Sequence, residues 1–158
     1  MDAASLARIY NEGIEDRVAT FETRPRTEAD VRAWFDGRHP VMAVEDGGEV
    51  IAFATSYAYS ARACYAAVAD LSVYVARAHR GKGAGRMALE ALASEAERLG
   101  FTKLLSRVFT DNERSRAMLR VTGFREVGTY LRHARLDGRW RDVVIVERLL
   151  GEAEGPSR

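Results

Sequence analysis

Arg80-Gly81-Lys82-Gly83-Ala84-Gly85 separates a β-rich run, Ala69 to Val75, from a helical pattern spanning Gly83 to Leu99. Glycines at such a junction let backbone N–H groups converge without side-chain obstruction. The helix that follows adds unpaired N–H groups and the positive end of its dipole. Arg80, Lys82 and Arg86 add formal charge. Together these features make a cradle for a pyrophosphate, although the loop alone also reads as a solvated basic turn. The Gly-Lys-Ser/Thr of a P-loop is missing, and so is a G-x-G-x-x-G dinucleotide fingerprint. In the helix, Leu89, Leu92, Ala96 and Leu99 share a face, and Gly100 supplies the stop.

Downstream, Lys103 to Phe109 reads as a strand. Thr110 and Glu113 resemble a capping box for a helix ending at Gly123. Two strands follow, Glu126 to Leu136 and Asp142 to Leu150, joined near Asp137-Gly138. Upstream, Leu6, Ile9, Tyr10 and Ile14 have near-helical spacing, and Glu15 to Arg26 reads as a loop. Thr27 and Asp30 form a capping-box pattern before a helix whose face is Val31, Trp34 and Phe35, stopped by Gly37. Val41 to Glu45 and Glu49 to Tyr59 flank Asp46-Gly47-Gly48, a hairpin signal. The order α, α, β, β, β, α, β, α, β, β predicts an α/β domain. Its sheet has both parallel and antiparallel neighbours and is packed by helices. Residues 1–150 read as one domain, and Gly151 to Arg158 as a tail expected to fray.

A chain of 158 residues suits one core; it is 47% hydrophobic and 30% charged. Lys plus Arg number 24 against 23 Asp plus Glu, so the net charge of +1 gives no general pull toward nucleic acid or membrane. The basic run from Arg80 to Arg86 lacks the interleaved aromatics of a nucleic-acid surface. Cys64 is the only cysteine, so no internal disulfide can form and a reducing cytoplasmic setting is expected. The start carries no signal-peptide pattern, and no apolar run is long enough to span a bilayer. His39, His79 and His133 do not cluster with acids and cysteine at metal-ligand spacing, so no metal is expected.

Arg80-x-x-Gly83-x-Gly85 resembles the acetyl-CoA pyrophosphate signature of the GCN5-related N-acetyltransferases (GNAT). Asn112 to Phe124 is similar to the second cofactor segment of that superfamily, which opens with Asn at a helix entrance and closes with Gly-Phe. The resemblance implies a twisted mixed sheet flanked by helices, with central parallel strands splayed at a bulge. It also implies a leading strand before the first helix, an element missing from this sequence. Acetyl-CoA would be the cosubstrate. Its pantetheine arm would lie along Leu71 to Val75, on the backbones of Val73, Tyr74 and Val75. Its pyrophosphate would sit on Arg80, Gly81, Lys82, Gly83, Ala84, Gly85 and Arg86. Asn112 and Ser115 would contact it from the other side, a plain helix cap being the other reading of Asn112.

The segments Ile9-Tyr10-Asn11-Glu12-Gly13-Ile14, Ala19-Thr20-Phe21-Glu22-Thr23, Ala61-Arg62-Ala63-Cys64-Tyr65 and Gly138-Arg139-Trp140-Arg141-Asp142 resemble the phosphinothricin acetyltransferases. Gly13 to Phe21 is most similar to the subgroup acting on arsinothricin in arsenic resistance. That resemblance implies acetylation of a glutamate-like amino-acid antibiotic by a cytoplasmic homodimer. Asp70 would be the general base, Arg62 and Tyr65 would hold the oxyanion, and Phe21 would wall the substrate. Each also has a plain reading: strand-end acid, surface arginine, packed aromatics. Leu119 stands where many members carry a Tyr or His donor, leaving the general acid open between no donor, Tyr74 and Tyr130. Methionine sulfoximine or sulfone, another amino acid or a polyamine are alternative acceptors. A non-catalytic acetyl-CoA-sensing domain is the alternative outside enzymology.

Overall fold

The computed structural model describes residues 1–17 and 19–155. Helix α1, Ala3–Asp16, starts where Asp2 accepts hydrogen bonds from the N–H groups of Ala4 and Ser5. Helix α2, Glu28–Arg32, opens on the full Thr27/Asp30 capping box. Hairpin β1, Val41–Asp46, and β2, Glu49–Ala58, precede β3, Val68–Val75. Helix α3, Ala84–Arg98, strand β4, Lys103–Phe109, and helix α4, Glu113–Val121, follow. Hairpin β5, Arg125–Leu136, and β6, Arg139–Leu149, completes the domain.

The strands form one sheet in the order β1-β2-β3-β4-β6-β5. β3 and β4 run parallel and the other neighbours antiparallel. The parallel pairing is short: it runs from Val68↔Lys103 to Asp70↔Leu105 and stops. Beyond it, β3 stays with β2 as far as Val75 and β4 with β6 as far as Phe109, so the central strands part. The β2–β3 register is continuous, so the expected bulge in β3 is corrected: the strands part after Asp70↔Leu105 without one. The Ser106 hydroxyl donates to the Leu71 carbonyl at 3.1 Å where the gap begins.

Successive strand residues point to opposite faces, and β3 uses both. Ala69 and Leu71 join the cluster under α3, with Leu89, Leu92, Leu104 and Val146, and Val73 and Val75 pack against it. Tyr74 belongs to the other cluster, with Leu6, Ile9, Ile14, Val31 and Phe53 under α1 and α2. By alternation Asp70 and Ser72 share that second face.

The sequence reading needs correction at several ends. α2 stops at Arg32 and does not run to Gly37. Trp34 and Phe35 already make three-residue turns, and the Asp36 carboxylate accepts from the N–H groups of Arg38 and His39, which folds the chain back. Phe35 ends up exposed. Asn112 caps α4, not Thr110, whose carbonyl instead accepts from Arg116 Nη1 at 2.7 Å. β6 begins at Arg139, three residues early, because the turn needs only Asp137 and Gly138, both at positive φ. Among the described residues the sheet has six strands and α1 is the first element. Gly151–Glu154, expected to fray, form a single 3₁₀ turn; the tail beyond Gly155 lies outside the described residues.

Candidate active site

The parting of β3 and β4 leaves a slot. Leu71 to Tyr74 make one wall, Ser106 to Phe109 the other, and Asn112, Ser115, Met118 and Leu119 close the far side. In an extended strand the N–H and C=O of one residue point to the same side, alternating along the chain. The Leu71 carbonyl faces β4, because Ser106 reaches it. The backbone groups of Val73 and Val75 therefore face the slot, where β4 has ceased to pair with them. Arg80 Nε donates to the Val75 carbonyl at 3.3 Å.

The glycine-rich turn follows the end of β3, and its Gly85 lies against Val73, Val75 and Met118. Gly81 and Gly83 have φ of 78° and 90°, a region that L side chains rarely adopt. The first bond of α3 runs from Met87 N–H to Gly83 C=O. The N–H groups of Ala84, Gly85 and Arg86 are thus left without intrahelical acceptors. A Cβ on Gly85 would come within 3.0 Å of Val75 and 3.1 Å of Met118, so α3 needs glycine to lie this close to β3. An unpaired strand edge leading to a helix N-terminus fits an extended amide-bearing arm that ends in a pyrophosphate.

The basic residues around this turn divide. Arg80 turns inward and pairs with Asp16, which Arg77 also grips. The Arg77 hydrogen bond is the main influence holding the Asp16 carboxyl below its usual range, against burial. Arg80 thereby ties the end of β3 to α1. Lys82 approaches the Ala78 carbonyl at 3.5 Å and Arg86 pairs with Glu90 at 3.0 Å. Arg114, which the sequence reading passed over, lies 3.8 Å from where a Gly81 Cβ would be. Asn112 accepts from the Ser115 N–H at 3.2 Å, and both line the slot. Arg116 secures α4 by donating twice to Glu126, each bond 3.0 Å.

The slot opens into a cavity of about 700 Å³, with Ser72, Tyr74, Arg107 and Phe109 common to both. Phe21 walls it, edge-on to Phe109 at 4.8 Å between ring centres. Trp34, Tyr57 and His133 extend the aromatic lining. Asp70 itself lines neither space: it is only 5% exposed and accepts at 3.1 Å from Nη1 of Arg107, which lines both. Burial pushes its carboxyl above the usual value, and Arg107 offsets this in part. Tyr74 packs edge-on against Tyr10, and burial holds its phenol far above the ordinary value, so it stays a neutral donor. Tyr57 Oη and Ser72 Oγ lie 3.4 Å apart.

Arg62 and Tyr65 are not brought here. They occupy an exposed 3₁₀ turn between β2 and β3, the guanidinium 5.7 Å from the Tyr65 ring centre, and neither lines the cavity or the slot. Leu119, 4% exposed, supplies hydrocarbon to the closed side of the slot. Tyr130 is exposed and stacks on His133. Arg107 was missed, although an arginine inside the apolar run Lys103 to Phe109 was a visible signal. Among the described residues no group of three or more His, Cys, Asp and Glu could hold a metal. No helix there is long and apolar enough to cross a membrane.

Residues 6–124 match the acetyltransferase (GNAT) family, and the chain belongs to it. It is an acetyl-CoA-dependent acetyltransferase, within the phosphinothricin acetyltransferase branch. It is similar to a phosphinothricin N-acetyltransferase of Streptomyces coelicolor, 31% identical over 156 residues, covering 94% of this chain and 91% of the relative. It is also similar to an L-methionine sulfoximine/L-methionine sulfone acetyltransferase of Salmonella typhimurium, 28% identical over 98% of this chain and 93% of that one. Among solved structures, a GNAT superfamily phosphinothricin acetyltransferase from Sinorhizobium meliloti in complex with acetyl-CoA aligns with a TM-score of 0.89. It is 30% identical, with 99% of this chain and 87% of that chain covered.

Proposed function

We propose that the enzyme acetylates the α-amine of a glutamate-like amino acid of the phosphinothricin and arsinothricin type, a detoxifying activity. The observation that carries this reading is Arg107, which lines both the slot and the aromatic-walled cavity and holds the buried Asp70 carboxylate beside them. Acetyl-CoA supplies the activated thioester. The Val73 and Val75 backbones and the α3 N-terminus, from Gly81 to Arg86, hold its arm and pyrophosphate, with Asn112 and Ser115 opposite. Asp70 takes a proton from the acceptor ammonium, and the N–H of Val73 is placed to stabilise charge on the carbonyl oxygen. Leu119 offers no proton to the leaving thiolate. Tyr74 lines both spaces, but burial holds its proton too tightly to be given to a thiolate of ordinary pKa about 8.5, so the thiolate leaves unassisted. Phe21 walls the acceptor side chain.

The test is release of CoA thiol with arsinothricin, phosphinothricin, L-methionine sulfone and a polyamine side by side. Turnover with the amino acids and none with the polyamine is expected; the opposite order overturns the acceptor class. No turnover with any acceptor favours the sensing domain. Methionine sulfoximine and sulfone are the second reading, favoured by the Salmonella relative. We also take residues 1–150 as one functional domain acting as a cytoplasmic homodimer. Arg62 remains a candidate anion clamp from the resemblance, but its exposed turn predicts a small role within one chain. Arg62→Ala should leave acetyl-CoA affinity unaltered and the acceptor KM within about twofold, an exposed side chain contributing little. A KM rise of tenfold or more would return Arg62, with Tyr65, to the acceptor site.

A further inference from the structure

The Asp70–Arg107 pair is asymmetric. The Asp70 side chain is 8% exposed and that of Arg107 is 41% exposed. Asp70 accepts from one guanidinium nitrogen, Nη1, through one oxygen, Oδ1. Among the described residues, Arg107 has no second acceptor, so the rest of its donor fork is available to whatever enters the cavity and slot that it lines. Arg26, the other arginine on the cavity wall, is already engaged: it pairs with Glu22 at 2.8 Å and donates to the Arg24 carbonyl at 2.8 Å. Arg107 thus keeps more of its fork uncommitted than Arg26.

Its position follows from register. Asp70 is opposite Leu105 at the last paired step of β3 and β4, and Arg107 lies on the same face of β4 one alternation further on. The two side chains meet across the opening of the slot, where the thioester would end. A buried acid and its cation form a locally neutral couple, and a zwitterion matches it. The carboxylate of an α-amino acid can take the remaining fork of Arg107, in the planar two-oxygen geometry that guanidinium favours. The ammonium, one carbon away, then falls beside Asp70. The four charges alternate in sign around a closed ring. A simple amine or polyamine would instead bring an uncompensated cation against Arg107.

We propose that Arg107 docks the α-carboxylate of the acceptor and, by dividing its guanidinium between that carboxylate and Asp70, presents the ammonium to Asp70. The acceptor nitrogen loses one N–H bond, Asp70 gains the O–H, and the amine's lone pair becomes available for attack. Arg107 is in this sense both a substrate ligand and a positioning residue. The inference rests on the reading of Asp70 as the base.

The experiment crosses two enzymes with two acceptors. Wild type and Arg107→Gln are assayed with L-methionine sulfone and its α-carboxamide, and likewise with phosphinothricin and its α-carboxamide. Wild type should prefer the free acid by about 10- to 100-fold in kcat/KM, the range of a charged hydrogen bond. In Arg107→Gln that ratio should fall toward unity, chiefly through the KM of the acid, and Arg107→Lys should restore part of it. The thermal shift given by acetyl-CoA reports that each variant is folded. A ratio that survives in Arg107→Gln, or a wild type indifferent to the carboxamide, overturns the proposal and leaves the acetyltransferase reading standing. No turnover by wild type with any of these acceptors overturns the amino-acid reading, and this proposal with it.

Discussion

Replacing Asp70 by Asn is expected to lower kcat by about 10²–10⁴-fold, the range contributed by a positioned base. Binding of acetyl-CoA should change little, because the isosteric amide fills the same volume, whereas the acceptor ammonium loses its charged partner. The pH dependence follows from the site. Burial raises the Asp70 carboxyl and Arg107 only partly offsets it. The active, ionised form therefore appears at a pH above the ordinary aspartate value of about 3.9. Wild-type kcat/KM should rise with pH through that raised value, and Asp70→Asn should lose this limb. The deficit of the mutant should shrink as pH climbs, because free amine then forms without help.

The same shift has a stability sign. A carboxyl raised on folding contributes stability that is present below its unfolded value and lost as pH rises through its folded value. On the alkaline side, Leu119 gives no titrating donor, and the Tyr74 phenol is held far above its ordinary range. No descending limb should appear until another group titrates. A parallel profile at undiminished rate in Asp70→Asn would remove Asp70 as base, and a steep alkaline fall in wild type would reveal a general acid.

Gly83→Val should abolish the response to acetyl-CoA. A ligand at about 100 times its Kd stabilises the native state by about 2.7 kcal/mol, roughly 5–10 °C in Tm for a chain of this size. Gly83 precedes α3 at a φ of 90°, and a Cβ there would meet nothing within 4 Å. The obstacle is therefore conformation and not crowding. A β-branched residue held in that region costs about 1–3 kcal/mol. The turn is expected to relax, moving the N–H groups of Ala84, Gly85 and Arg86 out of convergence. Differential scanning fluorimetry with and without acetyl-CoA checks both effects, a lower starting Tm and a lost shift. A full shift in the mutant would place the pyrophosphate elsewhere.

What the sequence made legible was what local chemistry determines. The apolar period of Leu89, Leu92 and Ala96 and the stop at Gly100 placed α3 to within a residue. The Thr27/Asp30 box placed the start of α2, but its end was hidden. Trp34 continues the apolar period, while the turn is made by the Asp36 carboxylate, a choice between two uses of one side chain. The same competition moved the α4 cap to Asn112, since Thr110 is held by Arg116 through its carbonyl. Arg107 was hidden for a longer-range reason. It joins Asp70 across 37 residues, and only the β3–β4 register puts both on one face. Arg62 shows the reverse: a motif match brought it forward, and an exposed 3₁₀ turn keeps it away from the cavity.

The alternation of β3 bears on how such an enzyme can change over evolutionary time. Ala69, Leu71, Val73 and Val75 face α3, whereas Ser72 and Tyr74 face the cavity. If the cofactor arm is read by main-chain groups in the plane of the sheet, no side chain on either face is indispensable to holding it. Substitutions at the cavity-facing positions, or at Arg107 across the gap, can then exchange one acceptor for another while the acyl donor stays bound. A strand of eight residues thus keeps donor and acceptor recognition on separate genetic accounts, and new acceptor specificities lie within a few codons of one another.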